Sequence, residues 1–356
     1  MSKPKVAIVG CGYWGQNLIR NFFDLEEVEV KAVCDFDLTA LARIKRRYPA
    51  VELKPNYHDI VSDSGIDGVI IATPLSTHYP FARKALQEGK HVLVEKPLAT
   101  SSAQALDLIE LSEKEGKTLM VDHTFLYTGA VRRIRSIIDS GELGDLLYFD
   151  SVRISLGLVQ SDTNVLWDLG THDFSIMNYL CDRDPVSITA AGMKHLGSPF
   201  ENIAYVSANF EDNLIAHFHL NWLAPVKVRR TLVGGSKRMI VYDDMETSEK
   251  VKVYDKGISI NHDPEHRERL LAGYRNGDML APNLDTCEAL RLMAEDFVRA
   301  MVEKRSPTSD GYAGYRVVRL LEAAQLSMAQ NGRPIELLPL AISSRESLSS
   351  STKLNA

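Results

Sequence analysis

A glycine-rich turn close to the start of the chain restricts the possible folds more than any other feature. Lys5–Val9 is a short apolar run typical of a buried strand, and the motif Gly10–Gly15, with the letters GCGYWG, follows it directly. Gln16–Phe23 then shows the apolar spacing of a helix. A strand, a G-x-G-x-x-G turn and a helix in this order predict a dinucleotide-binding βαβ unit.

Each part of this motif has a physical reason. Gly10 permits the tight turn, Gly12 lets the backbone approach a pyrophosphate, and Gly15 lets the helix pack closely on the strand. The N–H groups at the start of the helix are unpaired, and the helix dipole is positive at that end. We therefore expect these glycines to hold a dinucleotide pyrophosphate, with Tyr13 and Trp14 beside it.

An acidic residue after the second predicted strand indicates which dinucleotide is bound. Val28–Val33 is the strand, and Asp35 follows Gly12 by 23 residues. A carboxylate at this position hydrogen-bonds the adenosine ribose hydroxyls and repels a 2′-phosphate, which favours NAD over NADP. Asp37 is the competing residue, and its alternative role is to cap the predicted helix Leu38–Tyr48.

Strands and helices continue to alternate up to about residue 123. Apolar runs predict strands at Asp67–Ala72, His91–Val94 and Thr118–Val121, with helices between them at Tyr79–Glu88 and Thr100–Glu115. This alternation predicts an α/β fold with a parallel, doubly wound Rossmann sheet, whose ligands bind at the carboxyl ends of the strands. The residues after these strands are therefore predicted to contact the cofactor: Thr73, Pro74, Leu75, His78, Glu95, Lys96 and His123.

The pattern changes after Thr124, because β-type runs predominate from residue 147 to 242. Hairpin-like connections at Glu211–Asn213 and Gly234–Ser236 predict a mainly antiparallel, open sheet in an α+β domain. Helices can cover only one face of such a sheet, so we expect the other face to form a homo-oligomer, a dimer or a tetramer. The predicted domains are residues 1–123 and 124–342, with C-terminal helices at 285–304 and 312–330 free to pack back on the first domain, followed by a disordered tail at 343–356.

The composition excludes several classes of protein. A net charge of −6 over 356 residues gives no support for a nucleic-acid partner, which would need a strongly basic face, and no apolar run approaches the roughly 20 residues of a membrane span. Cys11, Cys34, Cys181 and Cys287 lie far apart, which predicts free thiols in a reducing cytoplasm. The two imidazoles of His217–His219 share a strand face without a third ligand, so we predict a structural or interfacial role and no metal.

Two short stretches carry the residue types of acid–base chemistry. Glu95 and Lys96 end a buried strand, although a solvated strand end would also explain them. Asp168 and His172 are four residues apart, so one helical turn would place both on one face. A carboxylate that orients an imidazole is the usual general acid–base arrangement, and a simple capping or salt-bridge pair is the alternative.

The glycine motif, Glu95-Lys96-Pro97 and Asp168-x-x-x-His172, in this order and at these separations, resemble the Gfo/Idh/MocA family of sugar oxidoreductases. The resemblance implies an N-terminal Rossmann domain and a C-terminal domain with an open sheet. It also implies that Lys96 contacts both the nicotinamide and the substrate hydroxyl, next to a cis-proline at Pro97.

Within this family the chain looks most like dehydrogenases of nucleotide-linked amino sugars, such as the UDP-N-acetylglucosamine and UDP-N-acetylglucosaminuronate 3-dehydrogenases. The implied reaction moves a hydride between NAD and a secondary sugar hydroxyl at C3. Lys96 and His172 are the expected acid and base, and Asp168 orients His172 or binds a neighbouring hydroxyl. Further expected substrate contacts are Tyr127, Arg153 and Asn164, and Trp167 packs near the nicotinamide ribose or in the core.

Several alternatives stay open at this point. The substrate could be a free sugar, a sugar phosphate or inositol, or the chain could be a glycosidase that recycles NAD. A non-catalytic NAD sensor is disfavoured because Lys96, Asp168 and His172 are all present. Basic residues that could hold a nucleotide diphosphate cannot be separated from ordinary surface charge: Arg132, Arg133, Arg153, Arg229 and Arg230.

Overall fold

The first of two main sheets is parallel and belongs to the N-terminal part of the computed structural model, which describes residues 3–156, 163–261 and 271–339. Its strands are β1 (Lys5–Val9), β2 (Glu29–Cys34), β3 (Glu52–Lys54), β4 (Gly68–Ile71), β5 (His91–Glu95) and β6 (Leu119–Asp122). They pair in parallel in the order β3-β2-β1-β4-β5-β6. The helices between them are α1 (Tyr13–Phe23), α2 (Leu38–Arg47), α3 (His58–Val61), α4 (Leu75–Gln87) and α5 (Ser102–Lys114).

The central strands of this sheet are apolar on both faces, as the sequence predicts. Val69, Ile70 and Ile71 of β4 and Val92 to Val94 of β5 have no exposed surface. A parallel sheet is covered by helices on both sides, so a continuous apolar run is stable there. The edge strand β3 and the short helix α3 were not predicted, because three and four residues with few apolar side chains give no periodic signal.

Local capping explains where several helices begin and end. Asp37 accepts the N–H of Thr39 at 2.8 Å and caps α2, and Ser101 accepts the N–H of Gln104 at 3.2 Å and caps α5. Gly89 lies just after α4 with φ +69°, a left-handed conformation that glycine adopts without a steric cost. These signals are local, which is why the sequence places these helix ends to within about two residues.

The second sheet is mixed and mainly antiparallel. Its strands are β7 (Leu146–Ile154), β8 (Ser187–Met193), β9 (Ile203–Asn209), β10 (Ile215–Asn221), β11 (Val228–Gly235), β12 (Met239–Asp243), β13 (Val251–Tyr254), β16 (Met279–Leu280) and β17 (Ile335–Glu336), while β14 (Gly257–Asn261) and β15 (Leu271–Arg275) form a separate pair. The order is β16-β13-β12-β11-β7-β10-β9-β8-β17. Among the described strands of this sheet, β7 and β10 alone are parallel neighbours, so the predicted fold class is confirmed with one parallel pairing at its centre.

Helices cover one face of the second sheet and leave the opposite face open in the described part of the chain. The helices of this part are α6 (Gly129–Asp139), α7 (Thr171–Cys181), α8 (Ala289–Glu303) and α9 (Gly311–Ala329). The α9 helix packs on β8, and α7 packs on β7. On the opposite face the side chains of Tyr205, Ile215 and His217 are exposed, whereas their strand neighbours point into the core.

The two C-terminal helices reach the first sheet. Phe297 of α8 meets Phe22 of α1 edge-on, with ring centroids 6.3 Å apart. Ser309, just before α9, accepts the N–H of Val121 in β6 at 2.8 Å and donates its hydroxyl to the Val121 carbonyl at 2.6 Å. The chain therefore returns to cover the β6 edge after building the second sheet. The tail predicted at 343–356 lies outside the described residues.

Candidate active site

The glycine turn has the geometry that a pyrophosphate site requires. Gly10 has φ +101°, and a Cβ added there would overlap the carbonyl oxygen of Ala72. A Cβ at Gly15 would overlap the carbonyl oxygen of Gly10, whereas a Cβ at Gly12 would point into open space. The α1 helix starts at Tyr13 without a side-chain cap. Gly12 thus presents open backbone at an uncapped helix start, which suits an anionic group.

Asp35 and Asp37 have separate roles. Asp35, at the end of β2, accepts the backbone N–H of Cys11 at 2.6 Å, so its carboxylate lies against the glycine turn. Asp37 caps α2, which is the alternative role that the sequence indicated for this residue. Tyr13 and Trp14 are exposed on the first turn of α1 and pack edge to face, with ring centroids 5.4 Å apart. These positions leave the Asp35 carboxylate and two aromatic rings beside the same turn.

The segment after β4 is fixed by a buried histidine. The His78 nitrogens Nδ1 and Nε2 each lie 2.8 Å from a carbonyl oxygen, of Pro97 and Thr73 respectively. The Thr73 hydroxyl bonds the Thr77 hydroxyl, and Pro74 precedes α4, which starts at Leu75. The His78 side chain is only 2% exposed, so it connects two loops rather than presenting a surface to a ligand.

Lys96 follows β5 and connects the two sheets. Its ammonium group donates to the Asp168 carbonyl at 2.9 Å and to Asp168 Oδ1 at 3.1 Å. The other carboxylate oxygen, Asp168 Oδ2, accepts from the indole N–H of Trp222 at 3.2 Å. The peptide bond between Lys96 and Pro97 is cis. The carboxyl end of β5 therefore reaches the segment that precedes α7.

The prediction that Asp168 orients His172 is not supported by this geometry. The Asp168 carboxylate is engaged by Lys96 and Trp222, and no contact with His172 is present among the described residues. Leu166–Gly170 forms a π-helical turn, which closes i→i+5 hydrogen bonds. Residues four apart in such a turn no longer lie directly above one another, and the Asp168 carboxylate contacts Lys96 instead.

His172 lies in the first turn of α7 with its ring packed edge-on against Phe125, at a centroid distance of 5.0 Å. Its Nδ1 is buried without a hydrogen-bond partner. Burial, and after it the charge of Lys96, lowers the pKa of His172 well below its ordinary value. The imidazole is therefore neutral at neutral pH and able to accept a proton.

A buried pair of carboxyl groups lies next to Lys96. Glu95 and Asp122 are register partners on β5 and β6, 9% and 2% exposed. Glu95 Oε2 accepts the Lys96 backbone N–H at 2.9 Å, and Asp122 Oδ1 accepts the Thr124 hydroxyl at 2.5 Å. Burial, together with the charge of Asp122, raises the pKa of Glu95 well above its usual range, and burial also raises the pKa of Asp122. This favours the protonated form of one carboxyl group behind the lysine.

The structure gives internal partners to three residues that were predicted to bind substrate. The Tyr127 hydroxyl donates to Asp296 at 2.8 Å, and Asn164 donates to Glu201 at 3.0 Å and caps the π-helical turn. Arg153 forms a buried bidentate ion pair with Asp173, at 2.8 and 3.0 Å. These contacts give no support to the predicted substrate contacts, because each residue is 5% exposed or less.

Two other predicted cofactor contacts are wholly or partly buried. His123 is 1% exposed, and the half-buried Trp167 packs against two hydrophobic core clusters, which favours its structural alternative. Two residues of the site gave no clear signal in the sequence. Trp222 follows β10 in the sequence and contacts Asp168 only in the folded protein. The ring of Phe125 contacts the ring of His172, and the Arg153 guanidinium lies 4.6 Å from the centre of the Phe125 ring.

The remaining sequence predictions concern sites that the chain was expected to lack. The described residues contain no cluster of His, Cys, Asp or Glu that could hold a metal, and all four cysteines are free. His219 stacks on Tyr205 at a centroid distance of 4.5 Å on the open sheet face. Within the described ranges, every helix is too short or too polar to cross a membrane.

Two family profiles match the chain. Residues 4–123 match the profile described as oxidoreductase family, NAD-binding Rossmann fold, and residues 131–241 match the GFO/IDH/MocA C-terminal domain. Together these profiles cover more than half of the chain. The chain belongs to the Gfo/Idh/MocA family. The first profile describes an NAD-binding Rossmann fold, which agrees with the predicted fold and cofactor of the N-terminal domain. The chain spans less than two thirds of the length of several curated relatives that it matches.

Individual relatives share the fold at low sequence identity. Inositol 2-dehydrogenase 2 of Saccharopolyspora erythraea is 25% identical over 345 residues, which cover 94% of this chain and 96% of that protein. The uncharacterized oxidoreductase YrbE of Bacillus subtilis is 22% identical over 219 residues, which cover 59% of this chain and 64% of YrbE. The solved structure of UDP-N-acetylglucosamine 3-dehydrogenase GnnA from Acidithiobacillus ferrooxidans has a TM-score of 0.79, at 22% identity over 93% of this chain and 99% of that one.

Two glycine substitutions separate the binding role of the turn from its structural role. We expect Gly12→Ala to keep the melting temperature of the wild type but to weaken NAD binding at least about tenfold, or roughly 1.4 kcal/mol. The added methyl would stand in the open space that the pyrophosphate approaches. Gly15→Ala should destabilise the fold by about 1–3 kcal/mol, because α1 must move away from Gly10. Calorimetric NAD titration and thermal unfolding measure both effects, and wild-type NAD affinity in Gly12→Ala would contradict the assignment.

Proposed function

We propose that this chain oxidises a secondary hydroxyl of a sugar or polyol and transfers the hydride to NAD. One observation carries the proposal: the Lys96 ammonium after β5 is held by Asp168 in the turn that precedes α7, and the neutral His172 at the start of α7 lies close enough to feel the charge of Lys96. The carboxyl ends of a doubly wound sheet are where a dinucleotide places its reactive ring. NAD supplies the hydride acceptor when it is bound, and the protein supplies position and charge.

The residues present fit this cofactor. The open backbone at Gly12 and the uncapped start of α1 would hold the pyrophosphate, and the Asp35 carboxylate beside the turn would hold the adenosine ribose. A 2′-phosphate would be repelled by that carboxylate. Lys96 follows β5 of the first sheet, and its side chain extends to Asp168, beside which the substrate is proposed to bind.

The chemistry of the hydroxyl follows from the two side chains. His172 is neutral and takes the hydroxyl proton, since burial and the charge of Lys96 hold its pKa low. The Lys96 ammonium donates a hydrogen bond to the same oxygen and stabilises the negative charge that develops on it. Asp168 keeps the ammonium in place through two contacts, and the edge of Phe125 limits water around the imidazole.

The substrate proposed in most detail is a UDP-linked amino sugar, oxidised at C3. The resemblance of the sequence to nucleotide-sugar 3-dehydrogenases supports this choice, and the fold shared with GnnA is consistent with it. A cyclitol such as inositol is the second candidate. It is supported by inositol 2-dehydrogenase 2, which aligns with 94% of the chain.

An absorbance assay of reduced nicotinamide tests the function directly. Purified protein is mixed with NAD and, in turn, UDP-N-acetylglucosamine, its uronate, glucose 6-phosphate, glucose and myo-inositol. A rise with the UDP-sugars alone would support the nucleotide-sugar proposal, and a rise with inositol or a free sugar would replace it by the second candidate. Sugar release without net NADH would favour a glycosidase, and no turnover with any compound would favour an NAD sensor.

Lys96→Ala and His172→Ala test the acid–base assignment. Each should lower kcat by about two orders of magnitude or more, because a positioned acid or base contributes roughly 100-fold to 10,000-fold. NAD affinity should change little, because neither side chain belongs to the glycine turn. Lys84→Ala serves as a control, since Lys84 pairs with Glu88 on an exposed helix face. Turnover near the wild-type rate in either variant would remove that residue from the mechanism.

We further propose that the open face of the second sheet forms a homo-oligomer. Exposed apolar side chains on adjacent strands support this, with Tyr205 at 47% and Ile215 at 46% exposure. Ile215→Asp should therefore yield a monomer by light scattering at concentrations where the wild type is a dimer or tetramer. A surface substitution such as Lys84→Ala should not change the mass. A monomeric wild type, or an unchanged oligomer in Ile215→Asp, would contradict the proposal.

A further inference from the structure

The structure separates the five arginines that the sequence left as candidates for an anionic group of the substrate. Arg132 and Arg133 lie on the exposed side of α6, and Arg153 is buried in an ion pair. Arg229 and Arg230 are consecutive on β11, so their side chains lie on opposite faces of the second sheet. These two neighbours carry the same charge in two different surroundings.

The pairing of β11 with β7 fixes the face on which each arginine lies. Arg229 is the register partner of Arg153, whose guanidinium bonds Asp173 of α7 on the helix-covered face. Residues directly opposite in an antiparallel pair share a face, so Arg229 also lies on the helix-covered face. Arg230 lies on the open face, where its guanidinium contacts the Asp243 carboxylate at 2.7 Å.

A short series of contacts leads from the proposed base to Arg229. The centres of the His172 and Phe125 rings are 5.0 Å apart, and the Arg153 guanidinium lies 4.6 Å from the centre of the Phe125 ring. Arg153 and Arg229 face one another on adjacent strands, which are about 5 Å apart in a sheet. Burial, followed by the charges of Lys96, Arg153 and Arg229, lowers the pKa of His172, in agreement with this proximity.

The other neighbour of β7 leads to the proposed acid. β10 pairs with β7 on the side opposite to β11. Trp222 follows β10, and its indole N–H donates to the Asp168 carboxylate that holds Lys96. Trp222, Arg153 and Arg229 therefore lie at the same end of three successive strands, and the first two contact the residues beside the acid and the base.

Arg229 has donors that its protein partner does not use. Its guanidinium makes one contact in the described part of the chain, to Asp244 Oδ2 at 3.3 Å, and its side chain is 34% exposed. The other oxygen of Asp244 accepts from the Tyr242 hydroxyl and from the Lys250 ammonium, each at 3.2 Å. Two cations thus share one carboxylate, which leaves a net positive charge at this end of the sheet.

We propose that Arg229 binds an anionic group of the substrate, a phosphate or a carboxylate, while the hydroxyl to be oxidised lies between Lys96 and His172. This inference rests on the proposed function and names its substrate class. A guanidinium donates two parallel N–H groups to a phosphate or a carboxylate, which fixes the orientation of the bound group as well as its position. The class therefore includes nucleotide-linked sugars, sugar phosphates and uronates, and it excludes neutral sugars and cyclitols.

Equilibrium binding tests this subsite without turnover. Protein saturated with NADH is titrated calorimetrically with UDP-N-acetylglucosamine, glucose 6-phosphate, glucuronate, glucose and myo-inositol. At least one of the three anionic compounds should bind at least about tenfold more tightly than either neutral compound, because hydrogen bonds to charged groups contribute about this much. Arg229→Gln should abolish the preference, and Arg230→Gln, which removes the same charge from the opposite face, should retain it.

The compound that binds identifies the source of the charge. A preference for UDP-N-acetylglucosamine indicates a diphosphate, one for glucose 6-phosphate a sugar phosphate, and one for glucuronate a carboxylate, and each of these supports the subsite. Equal affinities for anionic and neutral compounds in the wild type, or an unchanged preference in Arg229→Gln, would overturn the proposal. Should Arg229→Gln fail to fold, Arg229→Met, which keeps most of the length of the side chain, takes its place.

Turnover separates binding from chemistry. With an anionic substrate, Arg229→Gln should raise KM at least about tenfold and leave kcat close to that of the wild type, because a contact to a distant group is equally strong in the ground and transition states. A lower kcat at an unchanged KM would contradict a binding role. A protein that reduces NAD with none of the sugars would overturn the proposed function, whereas the titrations decide the anion subsite on their own.

Discussion

The contact between Lys96 and Asp168 is the interaction on which the rest of the site depends. Lys96 ends a strand of the parallel sheet, and Asp168 belongs to the segment that leads into α7, so the pair joins two separately built units. The lysine side chain is 14% exposed and that of Asp168 23% exposed. Partial burial makes such a pair stronger than a surface ion pair, and removal of one partner leaves the other poorly compensated.

The carboxyl ends of β5 and β6 depart from the apolar pattern of the strands that carry them. Glu95, Asp122 and His123 are all 9% exposed or less, although each could carry a charge. Burying such groups is unfavourable unless they become neutral or find partners, and here their pKa values move toward the neutral forms. These titratable groups lie beside the proposed acid and base, and a strand end with only a structural role would not need them. Groups with shifted pKa values are concentrated at catalytic sites, where the shift serves proton transfer.

Local features of this chain could be predicted from its sequence, and tertiary ones could not. The contact of Gly15 with Gly10 and the cap of Asp37 on Thr39 join residues a few positions apart, so spacing alone places them. The contact of Gly10 with Ala72 is tertiary, but the glycine motif predicts it because the motif follows a strand. Tyr127 and Arg153 were expected to bind substrate because of a resemblance, but their partners Asp296 and Asp173 lie on other elements. Trp222 gave no signal at all, since its contact with Asp168 exists only once β10 lies beside the π-helical turn.

A double-mutant cycle on Lys96→Met and Asp168→Asn tests the central claim most directly. The measured quantity is kcat for NAD reduction in the wild type, the two single variants and the double variant, each with the best sugar substrate. If Asp168 acts by holding the Lys96 ammonium, the double variant should be no slower than Lys96→Met alone, because the two losses describe one interaction. Losses that multiply, so that the double variant is slower by the product of the two single effects, would show that the two residues act independently and would contradict the account.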